Sequence, residues 1–229
     1  YALGHSTTDA FPDERSRSFQ TDTLEVSRFP VSQFLYNIVM KENPSQSLGW
    51  NHPVDTISWD QAIEFCNQLS LVLSLEPVYQ LNEKLHINSS ADGFRLLDSQ
   101  EWEAAARFGS DTPFAGSKDI SEVSWRNMQT SQPIARLKPN ELGLFDMCGS
   151  VWQWCQKNDS TYAERKGGSW FSKPRACEVW FQSKRRKKYA SVVQGLRVCR
   201  KEFEENIPSK TTLPIPIEEK DDNFWTDDW

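Results

Sequence analysis

The amino-acid sequence predicts a loop-rich domain with few helices and a core built largely from aromatic side chains. Clean periodic runs of apolar residues are scarce, only two segments carry clear helix-start signals, and there are ten tryptophans among 229 residues. Large aromatic side chains bury much area with few rotatable bonds, so they can hold together a fold in which helix and strand ladders are sparse. With 38% apolar residues, the chain can bury the core of one domain.

Two helices are predicted from capping boxes, in which a side chain at the helix start and a second one three residues later satisfy each other's backbone N–H groups. Ser58 with Gln61 opens the first helix, and Asp98 with Glu101 opens the second. A third helix is predicted from Gln33 to about Met40. The apolar positions assigned to these helices are Ala62, Ile63, Phe65, Leu69 and Val72, then Trp102, Ala105 and Ala106, and in the third helix Phe34, Tyr36, Ile38 and Val39.

The residues given contain no apolar run long enough for a membrane span and no pattern typical of a signal peptide. Because the sequence opens without an initiator methionine, we expect it to be part of a longer polypeptide.

Charge is divided between a basic region and an acidic tail. Residues 201–229 hold nine acids and three bases, a net of −6, whereas residues 157–201 hold thirteen bases and three acids, a net of +10. The run from Lys184 to Lys188 is either a solvated loop or a surface for an acidic partner, which is another protein or the chain's own tail. Nucleic acid is disfavoured because no recognisable binding motif and no interleaved aromatic residues accompany the run.

The five cysteines are odd in number and show no CxxC spacing. We interpret them as free thiols in a reducing, cytoplasmic compartment, with Cys66, Cys148 and Cys155 acting as small buried apolar residues. The three histidines, His5, His52 and His86, lie far apart in the sequence, and no phosphate-binding glycine loop or serine-nucleophile motif is present.

Several blocks of the chain resemble the formylglycine-generating enzyme family, also called the sulfatase-modifying factor family, and they occur in the family's order. The main blocks are PVDTISWDQA at 53–62, FRLLDSQEWEAAAR at 94–107, GLFDMCGSVWQW at 143–154 and GLR at 195–197, with weaker ones at 1–5, 11–15 and 29–36. The resemblance implies an α+β, irregular, loop-rich C-type-lectin-like domain over residues 1–202. An acidic, aromatic C-terminal tail, residues 203–229, follows it.

The resemblance also locates the position of the family's oxidase site. Family enzymes bind copper(I) with two cysteines five residues apart and use dioxygen to convert a substrate cysteine to formylglycine. Here the first position is Ser172 and the second is Cys177, while Ser169 matches a neighbouring family residue. A serine hydroxyl is a hard ligand that cannot replace a thiolate on copper(I). We therefore predict a vestigial site, no copper and no enzymatic activity.

Two hypotheses stay open for Cys177 itself. One is an inert, partly buried thiol, and the other is a reactive cysteine whose pKa is lowered by Lys173 and Arg175. A disulfide is a separate question, because secreted family members carry a cross-link that superficially matches Cys66 and Cys199. Cys199, however, lies one residue from the matching position, and on a strand that shift reverses the side-chain face.

The family also places a calcium ion in the loop that corresponds to residues 143–154. Asp146 matches a side-chain ligand, Gly149 and Val151 match backbone ligands, and Gln153 stands where the family has Glu. A neutral amide oxygen attracts calcium less than a carboxylate does, so at most weak calcium binding is predicted. The second calcium loop of the family, around Asn127, lacks its acidic ligand.

These observations predict a catalytically inactive recognition module for a protein or peptide ligand, within a larger bacterial cytoplasmic signalling protein such as a serine/threonine kinase. Among the aromatic residues of the family segments, Trp170 and Phe171 are expected on the surface, whereas Trp152 and Trp154 are expected in the core. Two alternatives are an oxidase that converts a peptide cysteine to formylglycine, and an assembly module that self-associates through its acidic tail. The predicted ligand-binding residues are Trp170, Phe171, Arg175, Trp180, Lys184, Arg185 and Arg186.

Overall fold

The computed structural model describes residues 2–3, 17–18, 23–81, 84–157 and 161–202. The sequence blocks at 1–5 and 11–15 fall almost entirely outside these ranges, as does the acidic tail. All three predicted helices are confirmed: α1 spans Gln33–Met40, α2 spans Trp59–Val72 and α3 spans Ser99–Arg107. Both predicted capping boxes are present, so the start of each longer helix is fixed locally by its own sequence.

The strands are short, and most of the described chain is turn and loop. In chain order they are β1 (Ala2–Leu3), β2 (Arg17–Ser18), β3 (Leu24–Val26), β4 (Tyr79–Leu81), β5 (Leu85–Ile87), β6 (Arg95–Leu96), β7 (Ser124–Trp125), β8 (Cys148–Gly149), β9 (Trp152–Trp154), β10 (Tyr162–Lys166), β11 (Ser183–Arg186), β12 (Gln194–Gly195) and β13 (Val198–Lys201).

Within the described residues, the largest sheet has the order β11-β10-β9-β12, with β12 parallel to β9 and the other neighbours antiparallel. A three-stranded sheet has the order β3-β13-β6 and joins the two ends of the domain, because β13 pairs with β3 across about 175 residues of sequence. The pairs β1-β2, β4-β5 and β7-β8 form separate two-stranded sheets. β11 is an edge strand, which places its backbone and side chains at the surface.

Two apolar clusters form the core, and buried indoles connect the loops around them. The first packs α1 and α2 around Trp59 and Trp154, and the second surrounds Trp102. Two of these indole N–H groups have backbone acceptors: Trp59 donates to the carbonyl of Cys155 at 2.8 Å, and Trp154 donates to the carbonyl of Ile57 at 3.0 Å. The prediction of an aromatic-rich core is confirmed, including the burial of Trp152 and Trp154.

Three side chains assigned to the apolar faces of helices are exposed instead. Phe34 and Ile38 on α1 and Val72 at the end of α2 face solvent. The buried residues of α1 are the predicted Tyr36 and Val39 together with the polar Gln33, whose amide nitrogen donates to the carbonyl of Ser47 at 2.8 Å. The amide therefore ties α1 to the following loop, an arrangement that apolar periodicity alone does not predict.

All five cysteines are buried free thiols. Cys66 packs in the first apolar cluster and Cys199 in the second. None of the helices in the described part of the chain combines the length and apolar character needed to cross a bilayer.

Candidate functional site

The segment 167–177, where the sequence predicts a vestigial site, folds as a tight turn followed by a short 3₁₀ helix at Pro174–Cys177. The hydroxyl of Ser172 closes this turn. Its Oγ accepts a hydrogen bond from the backbone N–H of Ser169 at 2.9 Å and lies 3.0 Å from the Oγ of Ser169. The backbone N–H of Ser172 also donates to the carbonyl of Ser169 at 2.9 Å. Ser172 therefore acts as a hydrogen-bonding turn residue.

Cys177 lies fully buried beneath this turn. Gly168 has a positive φ of 72°, and a Cβ added there would lie 2.6 Å from the Cys177 sulfur, so only glycine allows the backbone to approach the thiol this closely. Burial raises the pKa of the Cys177 thiol. A weak contact with the Ser124 hydroxyl at 3.9 Å lowers the pKa by less than burial raises it. The hypothesis that Lys173 and Arg175 lower this pKa is wrong, because both side chains are exposed and burial dominates.

This arrangement does not fit the copper site that the family resemblance implies. Copper(I) is held by soft thiolates, and the position of the first thiolate is filled by the hydroxyl of Ser172, which is engaged with Ser169. Across the described ranges, no group of three or more His, Cys, Asp or Glu side chains is placed to hold a metal ion.

The loop that corresponds to the family's calcium site is organised around the side-chain amide of Gln153, which is fully buried. Its oxygen accepts hydrogen bonds from the indole N–H of Trp102 at 2.7 Å and from Nε of Arg197 at 2.9 Å. Its nitrogen donates to the backbone carbonyl of Asp146 at 2.8 Å. Both polar atoms of the amide are therefore used within the protein.

The remaining calcium positions are also partly engaged. One carboxylate oxygen of Asp146 accepts from the backbone N–H of Ala135 at 2.8 Å, and burial raises the pKa of this carboxyl group. The buried guanidinium of Arg197 donates a hydrogen bond to the side-chain oxygen of Gln153, so this oxygen already faces a positively charged group. Calcium needs six to eight oxygen ligands with strong negative character, and the side chains of Asp146 and Gln153, engaged as they are within the protein, do not supply them.

The predicted ligand-binding aromatic residues divide into one exposed and two buried side chains. Phe171 is 76% exposed, which confirms its expected surface position. The same expectation for Trp170 is wrong: its side chain is 8% exposed, and its indole N–H donates to the carbonyl of Val192 at 3.3 Å. The ring centroids of Trp170 and Phe171 are 5.8 Å apart in an edge-to-face arrangement, so the buried ring of Trp170 packs against the exposed ring of Phe171.

Trp180 is buried as well, in the second apolar cluster, and it also has two polar contacts. The guanidinium of Arg107 lies 5.2 Å from its ring centroid, and its indole N–H donates to Glu178 at 2.9 Å. Glu178 also pairs with the exposed Arg175 at 3.4 Å. Arg175, like Phe171, is exposed to solvent.

Lys184, Arg185 and Arg186 form strand β11 and are all exposed, as a ligand-binding role requires. In the β10–β11 pairing, Lys184 lies opposite Glu164, and their charged groups are 3.7 Å apart. With Tyr162, Lys188 and Tyr189 these residues line a shallow cavity of about 490 Å³. We call this surface, residues 162 and 184–189, the basic hairpin. It is separate from the exposed side chain of Phe171 in sequence and in the elements that carry it.

Two further features are not apparent from the sequence. Arg165 is buried between aromatic rings, with its guanidinium 4.3 Å from the ring centroid of Trp152 and 5.8 Å from that of Tyr189. Phe34 and Trp50 form an exposed edge-to-face pair at 6.4 Å. An exposed Trp in a loop is a signal for a contact surface, but its pairing with α1 depends on the tertiary fold.

Comparisons with known proteins agree with this geometry. The model of the family described as "Sulfatase-modifying factor enzyme 1-like domain" matches residues 6–202. A chaperone protein, LppX of Paenibacillus barcinonensis, is 29% identical over 221 residues, covering 76% of this chain and 79% of that protein. The formylglycine-generating enzyme of Thermomonospora curvata is 25% identical over 123 residues, covering 46% of this chain and 33% of that enzyme.

A shorter match is to the serine/threonine-protein kinase Pkn1 of Chlamydia trachomatis, 36% identical over 67 residues, which covers 28% of this chain and 11% of the kinase. Among solved structures, Treponema denticola variable protein 1 superimposes with a TM-score of 0.83 at 24% identity, covering 88% of this chain and 92% of that chain. CarF superimposes with a TM-score of 0.73 at 23% identity, covering 89% of this chain and 94% of that chain.

The structural matches show the expected α+β, C-type-lectin-like fold. The family match extends over most of the chain and includes every helix. The chain belongs to the sulfatase-modifying factor, or formylglycine-generating enzyme, family.

Proposed function

We propose that this chain is a non-catalytic recognition domain of the formylglycine-generating enzyme family that binds a protein or peptide ligand. The observation that carries the proposal is the state of the former oxidase site. Ser172 uses its hydroxyl to close a turn on Ser169, and Cys177 is buried with its thiol pKa raised. A reactive pair of thiolates cannot form from these two side chains.

The surface above this site supports binding. The ring of Phe171 projects into solvent from the same turn, and Arg175 lies on the 3₁₀ helix that follows it. Arginine and large aromatic side chains are residue types that often make the strongest contacts with protein partners. The buried indole of Trp170 gives Phe171 a rigid base, so little conformational entropy is lost when a ligand packs against it.

A chaperone role is a second candidate, because the relative that covers most of this chain is named a chaperone protein. In that case the ligand is a client protein, and the exposed pair Phe34 and Trp50 supplies a second apolar contact surface. A setting within a cytoplasmic bacterial signalling protein, such as a kinase, is supported by the short match to Pkn1.

A copper(I) titration tests the loss of the oxidase site. The wild-type protein and a Ser172→Cys variant compete with a copper(I) chelator under reducing conditions. We expect the wild type to leave copper with the chelator and the variant to bind it more tightly, because only the variant offers two thiols. Equally tight binding by the wild type would contradict the proposal.

Site-specific photo-crosslinking tests ligand recognition. A photoreactive amino acid replaces Phe171 in one protein and Leu71 in a matched control, since Leu71 is 55% exposed but lies on α2. We expect a discrete protein adduct from position 171 that is absent from position 71 and is lost when Arg175 is also changed to Glu. Identical adduct patterns at the two positions would argue against a binding surface at Phe171.

A further inference from the structure

The basic hairpin collects positive charge without matching acids. Glu164 is the carboxylate that faces it in the described part of the chain, and Glu164 already pairs with Lys157 at 3.3 Å and with Lys184 at 3.7 Å. In that same part of the chain, no carboxylate pairs with Arg185, Arg186 or Lys188. Asp159 lies outside the described residues. The surface therefore presents at least three cations to solvent.

The buried layer beneath the hairpin adds to this imbalance. The guanidinium of Arg165 lies 5.8 Å from the ring centroid of Tyr189, and that of Arg185 lies 5.9 Å from the same centroid. Burial, and after it the charge of Arg185, lowers the pKa of Arg165 to about 10. Two cations thus share one aromatic ring, and an anion above it would relieve their repulsion.

The backbone of this edge strand is poorly suited to pairing with another strand. The carbonyl of Lys184 accepts from the guanidinium of Arg185 at 2.8 Å, and the carbonyl of Arg186 accepts from the backbone N–H of Tyr189 at 2.9 Å. Recognition by side chains is favoured instead. A fitting partner carries carboxylates for the three cations and aromatic rings for the two tyrosines.

The last twelve residues of the chain have this composition. Residues 218–229 contain six acids, one base and three aromatic residues, a net charge of −5. The acids are Glu218, Glu219, Asp221, Asp222, Asp227 and Asp228, and the aromatic residues are Phe224, Trp225 and Trp229.

The segment can also reach the hairpin. Fifteen residues lie between Glu202, the last described residue, and Glu218, and an extended chain of this length spans up to roughly 50 Å. A domain of this size has a radius of gyration of roughly 16 Å, so the reach of these residues is comparable with the dimensions of the domain. A linker that can span two sites gives an effective concentration in the millimolar range, at which even weak contacts are occupied.

We propose that the C-terminal segment, residues 218–229, binds in cis to the basic hairpin. Its carboxylates pair with Arg185, Arg186 and Lys188, and its aromatic rings pack against Tyr162 and Tyr189. The docking itself does not require any external ligand, so it is tested independently of the proposed recognition function.

Limited proteolysis of the full chain tests the docking. Trypsin cuts after Lys220, inside the segment, and mass spectrometry follows release of residues 221–229. An Arg185→Glu/Arg186→Glu variant leaves the sequence around Lys220 untouched, and a Lys84→Glu/Lys118→Glu variant makes the same charge change at two exposed lysines outside the hairpin. We expect release to be about ten-fold faster in the hairpin variant and unchanged in the control. Equal rates in all three proteins would overturn the proposal.

Hydrogen–deuterium exchange gives a second, independent measurement from the other side of the contact. The tail variant Asp221→Asn/Asp222→Asn/Asp227→Asn/Asp228→Asn should expose the hairpin, so peptides covering 183–189 exchange faster than in the wild type. Glu204→Gln/Glu205→Gln, which removes acids outside the segment, should not change the exchange. High salt should abolish the wild-type protection, because the contact is electrostatic.

Dilution separates binding in cis from binding between copies. Protection of Lys220 that is constant over a hundred-fold dilution supports docking within one chain. Protection that disappears on dilution would overturn it in favour of self-association through the tail. Because neither readout uses an external ligand, failure of the docking leaves the copper and crosslinking results unaffected.

Discussion

Two regions of this molecule use arginine in opposite ways. In the interior, Arg197 is fully buried, and its N–H groups donate to neutral oxygens of the protein, namely the side-chain amide of Gln153 and the carbonyls of Ser27 and Phe145. On the surface, Arg185 and Arg186 project from an edge strand with no carboxylate partner among the described residues. Buried arginine is thus part of a hydrogen-bonded frame, whereas the arginines of the hairpin are exposed to solvent.

The comparison predicts its largest effect at Arg197. An Arg197→Met substitution removes one of the two donors to the oxygen of Gln153 and the guanidinium donor to two backbone carbonyls. We expect it to lower the free energy of unfolding by about 3–5 kcal/mol. Denaturant unfolding followed by circular dichroism measures the loss. Arg200→Met is the matched control, because Arg200 pairs with Glu25 at the surface and should cost less than about 1 kcal/mol. Equal losses would remove the distinction between the two regions.

A smaller effect is expected at Gln153, where an amide N–H stands in the family's calcium loop. A Gln153→Glu substitution replaces that donor by an oxygen facing the carbonyl of Asp146, a contact that is 2.8 Å in the present structure. In EDTA we expect a loss of about 2 kcal/mol, because an unfavourable oxygen–oxygen contact replaces a hydrogen bond.

Calcium sharpens this prediction. The ion binds oxygens at about 2.3–2.6 Å, so it can bridge the two oxygens in the Gln153→Glu variant and restore part of the loss. The wild type should melt at the same temperature in calcium and in EDTA. A wild type that calcium stabilises as strongly as the variant would show that the amide does not exclude the ion.

His52 tests a side chain of intermediate burial. Its ring nitrogen lies 3.1 Å from the hydroxyl of Ser131, and burial lowers its pKa below the ordinary value of 6.5. Below pH 6.5 the unfolded chain takes up the proton first, so stability falls until the folded-state pKa is also passed. In His52→Gln this decline should be smaller. Melting temperatures measured from pH 7.5 to 5 give the comparison, and parallel curves for the two proteins would refute the assignment.

The smallest effect on stability is expected at the hairpin itself. Arg185→Ala/Arg186→Ala removes two exposed side chains, and we expect the free energy of unfolding to change by less than about 0.5 kcal/mol. A loss comparable to that of Arg197→Met would mean that the hairpin cations belong to the structural frame.

Local features of the fold were predictable from the sequence. The starts of α2 and α3 follow from capping boxes, in which both partners lie within four residues of each other. The burial of Trp152 and Trp154 follows from the general demand that a loop-rich chain bury its large aromatic residues. The family resemblance pointed to the positions of Ser172 and Cys177 because the two residues stand at a fixed spacing within one segment.

Features that depend on long-range packing could not be predicted in this way. Gln153 and Arg197 are 44 residues apart, and only the fold shows that the guanidinium takes the oxygen expected to face calcium. Trp170 and Phe171 are adjacent and chemically alike, yet one supports the surface and the other forms it. Nothing in the local sequence separates those two roles.

The most direct test of the central claim is a peptide-oxidation assay. The purified wild-type chain is loaded with copper(I) under reducing conditions and incubated in air with a peptide of the pattern CxPxR, and mass spectrometry follows conversion of the peptide thiol to an aldehyde. We predict no conversion, because Ser172 supplies no second thiolate. Repeated turnover by the wild type would show that the chain is an enzyme and would contradict the recognition function proposed for it.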